Sequence, residues 1–198
     1  MERPCFRYHR PVERALRLFV AVVPDPELGR RIGEAAARAR LVGFRAVSPE
    51  QLHLTLRFLG GTRPSSKDAI AAALARAAKH HAPFAVLVKG GGVFGPARAP
   101  QVAWLGVEDG DGRLAALVSD LETELAAAGV EREARPYHPH LTLGRARHRA
   151  SLDLEALAST PPLGWLRVDE LVLFQSETAA KGSVYTALVR VPLTGPSS

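Results

Sequence analysis

The sequence predicts an α+β fold of two similar lobes, each an antiparallel sheet flanked by helices, related by a pseudo-twofold axis around a central cleft. Three observations carry this expectation. Segments with the period of a strand and segments with the period of a helix alternate along the 198 residues. The order strand, helix, strand, helix, strand in the first half returns in the second, and each half spells His-Leu-Thr-Leu once, from His53 and from His140, 87 residues apart. No stretch rich enough in Gly, Ser or Pro to act as a linker separates the halves, so one domain is expected and not two.

Leu16 to Val23 is apolar and β-branched, a buried strand that Pro24 and Pro26 stop. Glu27 to Arg40 reads as a helix, with Leu28, Ile32, Ala35, Ala36 and Ala39 on one stripe. In QLHLTLRFLG, Gln51 to Gly60, the residues Leu52, Leu54, Leu56 and Phe58 alternate with His53, Thr55 and Arg57, which predicts a strand with one core face and one wet face. Ser65 or Ser66 is placed to cap a helix running to about His81, and Pro83 to Gly90 is a further strand. GGGVFGPARAP, Gly90 to Pro100, resembles a phosphate-cradling loop only in its glycines. It lacks G-x-x-x-x-G-K-[ST], and a plain turn is expected. QVAWLGV, Gln101 to Val107, is a strand, and Gly112 to Ala128 is a helix by the spacing of Leu114, Leu117, Val118, Leu121 and Leu125, with Gly129 placed to end it. After the second motif strand, HLTLGR, come a short helix around Leu152 to Ala158 and two strands, Leu166 to Ser176 and Ser183 to Leu193, read as a closing hairpin. Trp104 and Trp165 are expected in the core.

Composition narrows the function classes. An apolar content of 46% with 6% aromatics describes a globular chain and not a disordered one. A formal charge of +6 and a pI near 10.1 favour anionic partners, whether nucleic acid, nucleotide or an acidic membrane surface. Arginine supplies most of the positive charge, since only Lys67, Lys79, Lys89 and Lys181 are lysines. The single cysteine, Cys5, excludes an intramolecular disulfide and a thiolate zinc site and suits a reducing compartment, so a cytoplasmic protein is expected. The apolar run from Leu16 to Val23 is broken by Arg17 and is too short to span a bilayer.

Residues i and i+2 of a strand share a face about 6.5 to 7 Å apart. Each His-x-Thr therefore sets an imidazole beside a hydroxyl while its leucines enter the core. One such strand is ordinary. Two, at matching places in two lobes, can line opposite walls of a cleft and aim His53, Thr55, His140 and Thr142 at one point. Paired imidazoles are the minimal equipment for a general acid and a general base near neutral pH. They suit in-line phosphoryl transfer, in which one histidine takes a proton from the nucleophile and the other protonates the leaving oxygen. The threonine hydroxyls would hold the non-bridging oxygens.

Taken together, LRLFVAVVPDPELG, LHLTLRFLG, VFGPARAPQVAWLGV and YHPHLTLGR, in that order between Leu16 and Leu193, resemble the two-histidine phosphoesterases, specifically the RNA 2′,3′-cyclic phosphodiesterases formerly called 2′-5′ RNA ligases. The resemblance implies a bilobal α+β fold and hydrolysis of terminal 2′,3′-cyclic phosphates to 2′-phosphates without metal or other cofactor, with 2′-5′ RNA ligation as the reverse reaction. It bounds the domain at residues 16–194, with residues 1–15 an N-terminal extension outside the match. Its catalytic histidines fall on His53 and His140, and its phosphate-binding threonines on Thr55 and Thr142. Arg145 fits its basic residue after the second motif, and Phe58 fits its base-stacking aromatic after the first. Strict alternation turns Arg145 and Phe58 away from the histidine face, so each requires a bulge or strand end, near Gly144 and near Leu59 respectively. The resemblance further suggests His53 as acid for the 3′-oxygen and His140 as base for water, an order that the residues alone leave open. Implied partners are RNA ends or nucleoside 2′,3′-cyclic phosphates, with no membrane, and a monomer is expected. The alternative is a nucleotide- or RNA-binding module of the same fold without turnover. His138 and His140 could chelate a metal, but no carboxylate or cysteine pattern accompanies them. His80 and His81, at a helix end, read as structural.

Overall fold

The computed structural model describes residues 14–179 and 182–196. Along the chain run β1 (Leu16–Val22), α1 (Pro26–Arg38), β2 (Val42–Ala46), β3 (Leu54–Thr62), α2 (Lys67–Ala78), β4 (Phe84–Phe94), β5 (Val102–Glu108), α3 (Arg113–Ala127), β6 (His140–Ser151), α4 (Leu154–Ala158), β7 (Gly164–Val168), β8 (Glu170–Ala179) and β9 (Gly182–Pro192). The extension expected at residues 1–15 falls almost wholly outside the described residues. None of the described helices is long and apolar enough to cross a membrane.

Local chemistry fixes the helix ends. Asp25 caps α1 by accepting from the Leu28 amide at 2.8 Å, with Pro26 opening the helix. The Asp109 carboxylate receives the amides of Leu114 and Ala115 at 3.0 and 2.8 Å, and Gly129, at φ +83°, takes the left-handed turn after α3. The serine cap expected for α2 is absent: the chain enters through a single 3₁₀ turn, Pro64–Ser66, and the Ser66 side chain makes no capping bond.

The strands form one antiparallel sheet in the order β7-β4-β5-β6-β3-β1-β8-β9, with β2 added beside β6. The two sheets expected from the repeat are its halves, β7-β4-β5-β6 and β3-β1-β8-β9, and the motif strands β3 and β6 join them through the pair Leu54↔Leu141. Only Asp169 separates β7, at one edge, from β8, beside the other. One residue cannot reach across an open sheet, so the sheet is curled.

Three expectations are corrected. The run from Leu166 to Ser176 is two strands, and its first three residues belong to β7, paired with β4 in the other half; only β8 and β9 form the hairpin. The glycine-rich turn begins as strand, because β4 continues to Phe94. Its glycines give room to Trp104: a Cβ on Gly92 would lie 2.7 Å from the indole, and one on Gly91 2.5 Å from the Trp104 carbonyl. Trp165 is not in the core but 62% exposed on β7.

The helices exchange between the halves. α2 and α3 pack together against β3, β8 and β9, joined by Arg76–Glu124 at 2.5 Å and His81–Asp120 at 2.9 Å. α1 and α4 back β4 and β7, where Arg31 donates to the Leu163 carbonyl at 3.0 Å. Thus α1, between two strands of the first half in sequence, covers the second, and α3 does the converse. A single apolar cluster runs through both halves.

Candidate active site

The motif strands lie side by side at the centre of the sheet. Leu54, Leu56, Leu141 and Leu143 enter the core, while His53, Thr55, His140 and Thr142 stand half-buried on the other face and line one cleft of about 670 Å³. All six residues singled out in the sequence, Phe58 and Arg145 included, line this cleft.

Two matching bulges bring the last pair in. On β3, Ala21 pairs with Thr55 and Val20 with Arg57, which leaves Leu56 as the extra residue. On β6, Trp104 pairs with Thr142 and Ala103 with Gly144, which leaves Leu143. Each extra residue reverses the alternation, so the position five after the motif histidine, Phe58 or Arg145, returns to the histidine face. The bulge that serves Phe58 thus sits at Leu56; the irregularity at Leu59 falls beyond it.

Both imidazoles are held in the same way. His53 Nδ1 lies 2.6 Å from the Gln51 carbonyl oxygen, and His140 Nδ1 lies 2.7 Å from that of His138. A carbonyl can only accept, so Nδ1 carries a hydrogen in both rings and Nε2 is left for the cleft: a lone pair when the ring is neutral, a donor when it is protonated. Aromatic walls fix the ring planes. Phe19 lies 4.9 Å from His53, and Tyr185 meets it edge-on at 5.2 Å; Phe94 meets His140 edge-on at 4.8 Å. Burial pushes both imidazoles below their ordinary range, against the backbone carbonyls, and the Arg145 cation adds to the effect on each. His140 also lowers His53, so the two groups sense each other across the lobe boundary. Among the described residues neither Thr55 nor Thr142 spends its hydroxyl on a protein partner, which leaves both for an incoming oxyanion.

Tyr137, Tyr185, Phe94 and Arg57 complete the cleft and were not singled out in the sequence. Tyr137 donates to the Thr55 carbonyl at 3.1 Å, and burial pushes its phenol up. Arg57, 8% exposed, pairs with Glu122 of α3 and donates to the Phe58 and Glu131 carbonyls, fixing the backbone at the bulge. Comparing the repeats could have found Phe94, since strands flanking one histidine imply strands flanking the other. Nothing local marks Tyr185. His138 lines the cleft and packs on Trp104 at 4.9 Å, whereas His81 serves the α2–α3 contact.

A curled sheet whose two halves meet at paired His-x-Thr strands, with both Nε2 atoms turned to one cleft, defines a two-histidine phosphoesterase fold. The 2′-5′ RNA ligase superfamily profile matches residues 24–180, and the chain belongs to this family. It is 35% identical to a Thermus thermophilus RNA 2′,3′-cyclic phosphodiesterase over 91% of both chains, and 32% identical to the Thermotoga maritima protein of that name over 91% of this chain and 97% of that one. Among solved structures, Escherichia coli LigT complexed with 3′-AMP superposes with a TM-score of 0.74 at 28% identity, covering 91% of this chain and 99% of that one.

Proposed function

We propose that the protein hydrolyses the 2′,3′-cyclic phosphate at an RNA end to a 2′-phosphate, by acid–base catalysis with His53 and His140 and without a metal. The observation that carries this reading is the matched pair of imidazoles, each anchored through Nδ1 to the carbonyl two residues before it, with both Nε2 atoms free in one cleft. The relatives' activity supports the choice of substrate. His140 Nε2 takes a proton from water as its oxygen bonds to phosphorus. The P–O3′ bond breaks in line, and protonated His53 delivers its Nε2 proton to O3′, giving a 2′-phosphate and a 3′-hydroxyl. Thr55, Thr142 and the Arg145 guanidinium hold the non-bridging oxygens as charge gathers there. Phe58, 51% exposed at the rim of the cleft, stacks the terminal base. Phe58 lies on β3, which His53 immediately precedes, so the ribose and its leaving oxygen lie on the His53 side, which supports His53 as the acid. With an RNA 5′-hydroxyl in place of water, the same steps form a 2′-5′ linkage. The cleft is lined within one chain, and we take the monomer as the working unit.

Incubation with a nucleoside 2′,3′-cyclic phosphate in excess chelator tests this reading. The expected product is the 2′-nucleotide, and His53→Ala or His140→Ala is expected to lower kcat by about 10² to 10⁴ while product still binds. Near wild-type turnover in either variant overturns the mechanism, and activity lost to chelator and restored by a divalent ion overturns metal independence. Binding without turnover in the wild type leaves a binding module of this fold.

A further inference from the structure

Past the cleft, β6 continues through Arg147 and Arg149, both exposed, and neither β2 nor β6 contains a carboxylate. The register places Arg45 of β2 across from Arg145. Among the described residues Arg145, Arg147 and Arg149 form no ion pair, although the chain carries 20 acidic residues. The first half offers a built-in comparison. Five, seven and nine residues after His53 stand Phe58, Gly60 and Thr62; at the same distances after His140 stand Arg145, Arg147 and Arg149. The pseudo-symmetric cleft therefore has an aromatic, neutral exit on one side and a cationic exit on the other.

We propose that this arginine ridge is the track for the ribose-phosphate backbone of single-stranded RNA upstream of the cyclic end, with Arg147 and Arg149 each holding a phosphate. The proposal rests on the cyclic phosphodiesterase reading and deepens it from a nucleotide-sized site to a polynucleotide one. Between the pairs Phe44↔Ala146 and Val42↔Ser151 the single residue Gly43 faces four residues of β6, so Arg147 and Arg149 sit on a bulged stretch two and four residues beyond Arg145. Guanidinium forks grip phosphate in bidentate fashion. The ridge begins at Arg145, which lines the cleft, and continues along the same strand to Arg149, and this continuity with the site favours a chain tethered to the reacting end over a vesicle surface or an acidic peptide. Arg147 and Arg149 are not among the residues lining the cleft, so a mononucleotide does not reach them.

The test compares a nucleoside 2′,3′-cyclic phosphate with a six-nucleotide RNA ending in the same group, in wild type, Arg147→Gln, Arg149→Gln and the double variant, across a salt series. In the double variant KM for the RNA is expected to rise about tenfold or more, with the mononucleotide KM and kcat unchanged. The slope of log KM for RNA against log salt should fall by about 0.7 for each arginine removed. Equal effects on both substrates, or an unchanged RNA slope in the double variant, overturn the track. So does competition by an acidic peptide or anionic vesicle as strong as that by unlabelled RNA. If wild type turns over neither substrate, the catalytic reading fails; fluorescence anisotropy of a labelled six-nucleotide RNA with a 2′-phosphate end, on the same variants, still decides the track.

Discussion

A histidine serves as acid or base only when one ring nitrogen is fixed and the other left free, and here the carbonyls of Gln51 and His138 do the fixing. The dyad was legible in the sequence because its motif occurs twice. The aromatic walls were not, since Phe19, Phe94 and Tyr185 reach the histidines from other strands. The proposed mechanism requires one neutral and one protonated imidazole, so kcat/KM should be bell-shaped, its limbs belonging to the coupled pair. Burial lowers both groups, so the kcat/KM optimum of the free protein is expected on the acid side of the ordinary imidazole range. Arg145 is one cause of the lowering in both rings. Arg145→Gln should therefore move the bell to higher pH while reducing activity through loss of the phosphate contact proposed for it. A pH–rate profile of the variant that stays in place, or moves to lower pH, rules out this electrostatic account.

At the scale of the element, strand periodicity told which face of β3 and β6 is buried but not where the faces switch. A bulge has no composition of its own; only partner strands reveal that Leu56 and Leu143 are extra. The need for a bulge could still be deduced from Arg145 and Phe58, and at Gly144 it was placed correctly. Segment ends failed where two elements read as one: Val168 and Leu171 are both apolar, and nothing in their spacing says that they belong to opposite halves of the sheet. Glycines offer a sharp test at this scale. Gly92→Ala drives a methyl into the Trp104 ring, where overpacking costs about 1 to 3 kcal/mol. Gly33, exposed inside α1 with nothing within 4 Å of its added Cβ, should gain stability of about 1 kcal/mol as alanine. Denaturant midpoints should shift in opposite directions; two shifts of the same sign would contradict the packing assigned to one of the two sites.

For the whole molecule, the repeat announced two lobes and the lack of a linker argued for one domain, but neither disclosed the helix exchange, because packing partners leave no trace in periodicity. The exchange carries a strong consequence. Neither half can unfold alone without stripping the other of a helix, so we propose that the chain unfolds as one cooperative unit. Both tryptophans report on the second half, Trp104 from β5 and Trp165 from β7, whereas Leu74 is fully buried in α2, which backs the first. Leu74→Ala should cost about 2 to 5 kcal/mol through the cavity it leaves. In a single cooperative unit that loss appears undiminished in the tryptophan fluorescence melt, with a midpoint that coincides with the one from far-UV circular dichroism. Two independent lobes would instead give an early circular-dichroism transition in Leu74→Ala with the tryptophan midpoint held at its wild-type value, and the single-domain reading would then be wrong.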